Sequence, residues 1–279
     1  MSSVNNSKYN IRPSSNFSKI EINSTIRAGG RLGNMIIRNI ITSYIAEKNN
    51  LIFNYGYSEQ MDKLGIKLFQ EGTNFYENTL LITDDIIDNI LFDEEIYNKF
   101  LYGKNILFYK ENYHIDGIVY SWCQTNKISK YIGEFVNNDY NKNSIIESNP
   151  YRNNYNNNNN VFIHVRLDDT INLGFSTKYE YYENTLSKIN FEKGFISSDS
   201  IEHEICQKLI TKFNLEIYNN DEVNTIQFGC TNKYIVLSNG TFSWIIGLFA
   251  FYSKIFYPKL KINWHGDIYT FPEWDEIDF

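Results

Sequence analysis

The sequence has few cysteines, no excess of positive charge and no long apolar run, and each shortage excludes a class of protein. Its three cysteines, Cys123, Cys206 and Cys230, lie far apart and form no CxxC pair. They indicate neither a disulfide framework nor a structural zinc site, and we expect them to be reduced and buried. The formal net charge of -7 provides no basic face, so the chain lacks the electrostatic footprint of a nucleic-acid-binding protein.

The distribution of apolar residues along the sequence also predicts no membrane-spanning segment and no signal peptide. The first twenty residues are polar and contain no apolar stretch of signal-peptide length. The longest apolar candidate, Phe242 to Tyr252, is shorter than the roughly 20 residues that span a bilayer and is typical of a core helix. We therefore expect a soluble, cytoplasmic protein with no membrane insertion.

Apolar residues make up 42% of the chain and aromatic residues 16%, which predicts a folded protein. The length of 279 residues accommodates two lobes of about 130 residues each. We expect a loose polar tail at 1–18 and an asparagine-rich linker at 150–160, which has too few apolar residues to form core. The two lobes are then 19–149 and 161–279.

Alternating strand and helix patterns predict the α/β class. In the first lobe we expect a strand at 19–28, a glycine turn at 29–34, a helix at 35–48 and strands at 51–53, 106–109 and 118–120, with a helix at 84–100. After the linker we expect strands at 161–165, 194–197, 215–218 and 234–237, and helices at 181–189, 201–213, 222–230 and 242–254. This alternation predicts a parallel sheet wrapped by helices.

The stretch VFIHVRLDD, from Val161 to Asp169, is the main candidate for a binding site. Its apolar half predicts a buried strand, and ligands of open α/β sheets bind where such strands end. Because side chains alternate along a strand, His164 and Arg166 point to the same side. An arginine fork holds two phosphate oxygens at once, so the pair suits a diphosphate. The alternative is a surface strand with a solvated arginine.

Several short motifs occur along the chain in the order typical of one enzyme family. They are GGRLGN at 29–34, HVRLDD at 164–169, YYENTL at 181–186, SSD at 197–199 and VLSNGTFSW at 236–244. In turn they resemble the GGLGNQ, HxRRGD, YYxxA, FSDD and NSSFSWW motifs of glycosyltransferase family 11, the α-1,2-fucosyltransferases. The likeness extends from about 25 to 260, and 55–160 contributes almost nothing to it.

This resemblance implies a GT-B fold with two Rossmann-like lobes and the donor site in the cleft between them. It implies an inverting transfer of L-fucose from GDP-fucose to a hydroxyl of a glycan acceptor. The C-terminal lobe, 161–279, then holds the nucleotide sugar, and 19–149 is the acceptor side. Neither a metal nor a cofactor is expected, and the partners are the donor and the glycan.

Three positions depart from the family pattern. The second arginine of the family motif is Leu167 here, its glycine is Asp168, and the glutamine after the glycine turn is Met35. The donor loop thus loses one positive charge and gains a negative one. Protein O-fucosyltransferases have a comparable HxR motif without the second arginine, so activity is compatible with this loop, while the donor sugar and the acceptor linkage stay open.

The resemblance and the chemistry together assign roles around the donor loop. Arg166 stabilises the negative charge that grows on the departing diphosphate, or else forms a structural salt bridge to Asp168 or Asp169. His164 orients the diphosphate. Asp169 aligns with the family aspartate and is the candidate general base, although a weak base suffices when the transition state resembles an oxocarbenium ion.

The glycine turn before the first helix supplies a second set of candidates. Arg31 sits at a helix N-terminus, where backbone N–H groups and the helix dipole favour an anion, and we expect it to reach the diphosphate from the opposite lobe. Gly30 and Gly33 let the backbone approach the ligand closely. Asn34 either binds the donor or caps the helix.

The turn 238–243 joins a strand to a helix and is a further phosphate-binding candidate. The family resemblance assigns donor contacts to Thr241, Phe242 and Ser243, with a plain N-cap as the alternative for Thr241. Asp199 follows a strand and is the candidate acceptor for the N–H groups of guanine, with a helix-start aspartate as the alternative.

Other functions also fit parts of the pattern. A metal-dependent transferase would use Asp84 and Asp85, or Asp168 and Asp169, to bind a divalent ion. The donor could be another GDP-linked or a UDP-linked sugar, and a catalytically inactive protein that binds sugar nucleotides or glycans is the alternative outside enzymes. A dinucleotide oxidoreductase is disfavoured, because GGRLGN lacks the GxGxxG spacing.

Overall fold

The computed structural model describes residues 12–13, 31–52, 55–74, 79–83, 88–89, 91–100, 102–103, 105–109, 123–172, 174–259, 268–269 and 271–278. Its helices, in chain order, are α1 (Leu32–Asn49), α2 (Ser58–Lys63), α3 (Glu94–Phe100), α4 (Asn126–Asn137), α5 (Asp139–Ser148), α6 (Asp168–Asn172), α7 (Tyr179–Leu186), α8 (Glu204–Phe213), α9 (Glu222–Gly229) and α10 (Thr241–Leu248). Its strands are β1 (Arg12–Pro13), β2 (Thr79–Thr83), β3 (Asn105–Tyr109), β4 (Val161–Val165), β5 (Gly194–Ser198), β6 (Glu216–Ile217), β7 (Tyr234–Val236), β8 (Lys254–Pro258) and β9 (Asp275–Ile277).

Two compact units make up the chain. The first contains Met1–Ser58 and Leu68–Ile132, and the second contains Glu59–Lys67 and Gly133–Phe279. The units therefore divide the chain at other positions than the predicted lobes. None of the described helices is long and apolar enough to cross a membrane.

The first unit is built on α1 and a three-stranded sheet of order β1-β2-β3. In that sheet β2 and β3 are parallel and β1 is antiparallel to β2. Helix α1 is buried on almost every side, with Ile36, Ile40 and Ile41 fully covered. It ends where Asn50 adopts a left-handed conformation, with φ of 52°, which asparagine tolerates better than most residues.

Of the strands and helices predicted for the first half of the chain, some are confirmed and others lie outside the described residues. The predicted strand at 106–109 is confirmed as β3, and the predicted helix at 35–48 is confirmed as part of α1. Of the predicted strand at 51–53, Leu51 forms an isolated bridge to Asn74. The predicted strands at 19–28 and 118–120 lie outside the described residues, as do Gly29, Gly30, Asp84 and Asp85.

The second unit contains a six-stranded sheet, and all its strands are parallel, which confirms the predicted α/β class with a parallel sheet. The strand order is β6-β5-β4-β7-β8-β9. From β4 the chain moves outward to β5 and β6, and from β7 it moves outward in the other direction. This is the 3-2-1-4-5-6 order of Rossmann-like sheets, and its order reverses between β4 and β7.

Strand β4 is central and buried on both faces, as parallel strands usually are. Val161, Ile163 and Val165 pack into a core that also includes residues of α7 and α8. Phe162, on the other face, meets Phe228 of α9 at 6.0 Å between ring centroids. The alternation leaves His164 on the same face as Phe162, toward α10.

The predicted strand and helix pattern after residue 160 holds in type but not always in extent. The prediction for 161–165 is confirmed residue for residue. The predicted helix at 242–254 is wrong in its second half, because α10 ends at Leu248 and β8 begins at Lys254. Residues 249–253 instead form a turn that leads into β8, and β8 pairs with β7. The apolar periodicity continues through this turn, so it does not show where the helix ends.

The asparagine-rich segment 150–160 lies within the second unit. Its Tyr155 is buried and donates a hydrogen bond to the carbonyl of Phe249 at 3.1 Å. The side chain of Asn149 donates to the carbonyl of Gln227 at 2.8 Å. Within the segment, Asn158 Nδ2 donates to the carbonyl of Thr231 at 3.0 Å. Hydrogen bonds to backbone carbonyls therefore hold this segment against the unit, although it has few apolar residues.

The three cysteines are buried and reduced, as the sequence predicted. Burial raises the pKa of the Cys230 thiol to about 12. A thiol in that state is protonated at physiological pH and does not act as a nucleophile.

Candidate functional site

The candidate site lies at the carboxyl edge of the parallel sheet, where the strand order reverses. Strands β4 and β7 are neighbours there, with Ile163 paired to Val236. Arg166 follows the end of β4, and Ser238 to Gly240 follow the end of β7 and lead into α10. Side chains from 164–166 and 238–243, far apart in the sequence, therefore meet at this point.

A hydrogen-bonded network of two serines and a histidine forms the buried floor of the site. His164 Nδ1 lies 2.5 Å from Ser243 Oγ and 3.4 Å from Ser238 Oγ. The two serine hydroxyls are 2.8 Å apart, and the backbone N–H of Ser238 donates to Ser243 Oγ at 3.2 Å. The backbone N–H of Arg166 donates to Ser238 Oγ at 3.2 Å, so the network ties the ends of both strands together.

His164 is neutral in this setting. It is 6% exposed, and its ring packs against Phe242 with the ring centroids 5.0 Å apart. Burial, with a smaller contribution from the charge of Arg166, lowers the pKa of His164 to about 3. The imidazole therefore provides a hydrogen-bonding group without a charge.

Arg166 and the start of α10 bring positive electrostatic potential to one place. The guanidinium lies so close to Gly240 that a Cβ added at that glycine would be 2.5 Å from Nη1 and 3.2 Å from Cδ. Gly240 has a φ of 129° and is the N-cap residue of α10, so this helix begins at a residue with no side chain of its own to cap it. An arginine next to an N-terminal helix turn favours an anion.

The turn from 238 to 240 is held from outside by other parts of the second unit. The Tyr269 hydroxyl lies 2.9 Å from the carbonyl oxygen of Ser238 and 3.3 Å from that of Gly240. The backbone N–H of Gly240 donates to the hydroxyl oxygen of Tyr269 at 3.3 Å. The backbone N–H of Asn239 donates to Thr177 Oγ1 at 3.2 Å. The turn is therefore fixed through its backbone.

Asp199 follows β5 and has a structural contact at this edge. Its Oδ1 accepts the backbone N–H of Leu167 at 2.9 Å and that of Asp168 at 3.4 Å, at the start of α6. One carboxylate oxygen of the predicted guanine acceptor is thus engaged by the loop after β4. The side chain of Asp169 lies outside the described part of the chain.

The remaining predicted residues have the following places. Thr241, Phe242 and Ser243 form the first turn of α10, and the N-cap predicted for Thr241 is Gly240 instead. In the first unit, Arg31 is exposed and takes the N-cap position of α1, so Asn34 is not the cap. Asn34 Oδ1 accepts a hydrogen bond from Gln124 Nε2 at 2.8 Å. Gly30 lies outside the described residues.

No family model and no curated protein matches this chain. The likeness to α-1,2-fucosyltransferases therefore rests on the short motifs alone. Three of these motifs contribute residues to the carboxyl edge: HVRLDD, SSD and VLSNGTFSW. Within the described residues, no group of three or more His, Cys, Asp or Glu side chains could hold a metal ion.

Gly240 and Tyr269 contribute to the site but were not among the predicted residues. Gly240 had a sequence signal, because a glycine before a predicted helix marks a turn where the backbone approaches another group. Tyr269 had none, since it lies 29 residues beyond Gly240 and no local pattern links the two.

Proposed function

We propose that this protein is an inverting glycosyltransferase that transfers L-fucose from GDP-fucose to a hydroxyl of a glycan acceptor. One observation carries the proposal: Arg166 and the start of α10, whose N-cap residue is Gly240, meet at the carboxyl edge between β4 and β7. Ligands of open α/β sheets bind at such a point of strand-order reversal, and its chemistry suits a diphosphate.

The chemistry required of the site follows from the bonds that change. The acceptor oxygen forms a bond to the anomeric carbon, the bond from that carbon to the diphosphate oxygen breaks, and the hydroxyl proton passes to a base. Arg166 and the N–H groups at the start of α10 stabilise the charge that develops on GDP. Asp169 is our candidate for the base, and Thr241 and Phe242 for donor contacts. Ser243, to which the resemblance also assigns a donor contact, is buried and acts through its hydrogen bond to His164.

The finer assignments belong to the same proposal. They are a GT-B architecture with two Rossmann-like lobes, a role for Gly30, Arg31 and Asn34 in holding the donor, an interaction of Asp199 with guanine, and a reaction that needs no metal. Leu167 and Asp168 in place of the family arginine and glycine make a different GDP-linked or UDP-linked sugar the first alternative.

A thermal-shift titration with GDP, UDP, GDP-fucose and NAD tests the donor assignment, because a ligand that binds the folded state raises the melting temperature. We expect GDP and GDP-fucose to stabilise the wild type and to have little effect on Arg166→Ala. Arg152→Ala is the matched control, since Arg152 is an exposed arginine of the same unit that precedes β4. Stabilisation by UDP alone would leave a sugar-nucleotide site but remove fucose, and stabilisation by NAD alone would contradict the proposal.

Sugar transfer over a panel of glycan acceptors tests the enzymatic half of the proposal. We expect Arg166→Ala to lower kcat by about 10²- to 10³-fold, as the loss of a preorganised group that stabilises transition-state charge does. Transfer should survive EDTA, and its abolition by EDTA would favour the metal-dependent alternative. Donor binding without transfer to any acceptor would indicate a binding protein.

A further inference from the structure

The network beneath Arg166 has a fixed number of donors and acceptors, and this number determines where its hydrogens lie. Each serine hydroxyl has one hydrogen and can accept two hydrogen bonds, and a neutral imidazole has one N–H and one acceptor nitrogen. Ser238 Oγ accepts the N–H of Arg166, and Ser243 Oγ accepts the N–H of Ser238. The two hydroxyl hydrogens and the Nδ1 position of His164 remain to be assigned.

Suppose first that His164 Nδ1 carries the hydrogen and donates it to Ser243. The second acceptor position of Ser243 is then filled, so its own hydroxyl donates to Ser238, whose second acceptor position is filled in turn. The hydroxyl hydrogen of Ser238 then has only the Tyr182 hydroxyl oxygen beside it as an acceptor. Because both acceptor positions of Ser238 are filled, the buried Tyr182 hydroxyl finds no acceptor there for its own hydrogen. A buried unsatisfied hydroxyl costs about 1–3 kcal/mol.

Suppose instead that Nδ1 is the acceptor. Ser238 then donates to Ser243, and Ser243 donates to His164 over the 2.5 Å contact. Both serine hydrogens and both acceptor positions of Ser243 are then used, and the second acceptor position of Ser238 stays open to the buried hydroxyl of Tyr182. A single direction of donation therefore runs from the Arg166 backbone through Ser238 and Ser243 to His164.

We propose that Ser238 and Ser243 hold His164 as the Nε2–H tautomer, so that the imidazole offers a neutral N–H donor to a diphosphate oxygen; this inference rests on the diphosphate site proposed above. Nε2 lies on the ring edge that faces away from both serines. Within the described residues, no group makes a hydrogen bond to it. Ser238 and Ser243 are thus positioning residues, and His164 is the group that touches the donor.

A neutral donor complements Arg166 at this point of the sheet. The guanidinium supplies charge and two parallel N–H groups, whereas the imidazole adds one directed N–H without a second positive charge. Burial and the charge of Arg166 both hold the pKa of His164 low, so the ring keeps this form at physiological pH.

NMR on the full-length protein with ¹⁵N-labelled histidine tests the tautomer without a ligand. Nε2 couples through two bonds to both Hε1 and Hδ2, whereas Nδ1 couples strongly to Hε1 alone, so the coupling pattern identifies the protonated nitrogen. His164→Gln assigns the signal. We expect a proton on Nε2 of His164, which should shift when GDP-fucose is added.

Two serine variants test the positioning role. Ser243→Ala removes the hydroxyl that donates to Nδ1, and we expect about tenfold weaker GDP-fucose binding and a detectable Nδ1–H form. Ser253→Ala is the matched control, because its hydroxyl donates to the carbonyl of Asn232 at the amino edge of the same sheet. Equal binding in Ser243→Ala and Ser253→Ala would overturn the positioning role.

Failure of this inference is distinct from failure of the proposed function. A proton on Nδ1 in the wild type overturns the tautomer assignment, even where GDP-fucose binds. If Nε2 carries the proton but the His164 signal does not shift when GDP or GDP-fucose is added, the hydrogen-bond network is supported. The proposal that this site binds a diphosphate is then wrong.

Discussion

At the scale of single residues, His164 links the site to the pH dependence of stability. Its pKa lies near 6.5 in the unfolded chain and at about 3 in the folded protein. Between these values the unfolded chain binds a proton that the folded protein excludes. The free energy of unfolding is therefore fully present above about pH 6.5 and falls as the pH drops toward 3.

We predict that this single group costs about 2 kcal/mol of stability between pH 7 and pH 5. Urea unfolding of the wild type and of His164→Gln at both pH values measures it, since glutamine retains polar atoms but does not titrate. The wild type should lose about 2 kcal/mol more than the variant over this interval. Parallel pH profiles for the two proteins would show that the histidine is not held neutral.

The predictions for Arg166 and Asp199 show how far the sequence position of a single residue indicates its contacts. Its position after an apolar strand predicted an anion contact, and the structure places it beside the start of α10. The same reasoning selected Asp199 as a partner for guanine, yet one of its oxygens binds the backbone of the loop after β4. A carboxylate has two oxygens, so binding backbone N–H groups with one of them leaves the proposed guanine contact to the other.

At the scale of elements, the start of α10 depends on Gly240. Its φ of 129° strains any other residue, and a Cβ would lie 2.5 Å from Nη1 of Arg166. We predict that Gly240→Ala displaces the guanidinium and weakens GDP-fucose binding about tenfold to a hundredfold, which is the range expected for lost charge-assisted hydrogen bonds. Isothermal titration calorimetry provides the measurement.

Gly103→Ala is the control for this variant. Gly103 also has a positive φ, of 72°, but nothing lies within 4 Å of its Cβ position. It should lose about 1–2 kcal/mol of stability from backbone strain and keep its nucleotide affinity. Equal affinities of Gly240→Ala and Gly103→Ala for GDP-fucose would mean that the position of the Arg166 guanidinium does not control donor binding.

The turn between β7 and α10 depends on a phenol from another part of the second unit. Tyr269→Phe removes the hydroxyl that contacts the backbone of Ser238 and Gly240. We predict a loss of about 1–3 kcal/mol in the free energy of unfolding and weaker GDP-fucose binding, because the turn loses its support. Tyr181→Phe, which removes a buried bond to the carbonyl of Phe256, should lose stability but keep its affinity. The reverse pattern of affinities would contradict the role of Tyr269.

At the scale of the whole molecule, the chain contributes a distant segment, Glu59–Lys67, to the second unit. Its Gly65 has a φ of 74°, and a Cβ there would lie 2.4 Å from the carbonyl oxygen of Ser144. The side chain of Gln227 also donates to the carbonyl of Lys63 at 2.8 Å. This segment is therefore fixed against α5 and α9 through its backbone.

We predict that Gly65→Ala destabilises the protein by about 1–3 kcal/mol more than Gly174→Ala, which is the typical cost of overpacking. Gly174 has a similar φ of 71° with nothing within 4 Å of its Cβ position, so the two variants share the backbone strain and differ in the clash. Urea unfolding measures the difference. Equal losses would show that the segment does not pack against Ser144 in solution.

Helices and strands were predictable from the sequence where the periodicity of neighbouring apolar residues defines them. The strand at 161–165 and the helices at 204–213 and 222–229 have apolar periods that neighbouring residues define. The end of α10 at Leu248 was not predictable, because the apolar run continues to Tyr252 through the turn at 249–253 and the pairing of β8 with β7 sets where the chain re-enters the sheet. The strand β9, DEI, has no apolar signal and forms by pairing with β8.

The sequence by itself determined the α/β class of the second unit and the position of Arg166 just after β4, where we propose the binding site. These features depend on residues within a few positions of one another. The tertiary structure alone decided the order of the strands, the point where that order reverses and the network of His164 with Ser243, 79 residues away. Such partners are set by packing and by the need to satisfy every buried polar group, and neither appears as a period or a spacing along the chain.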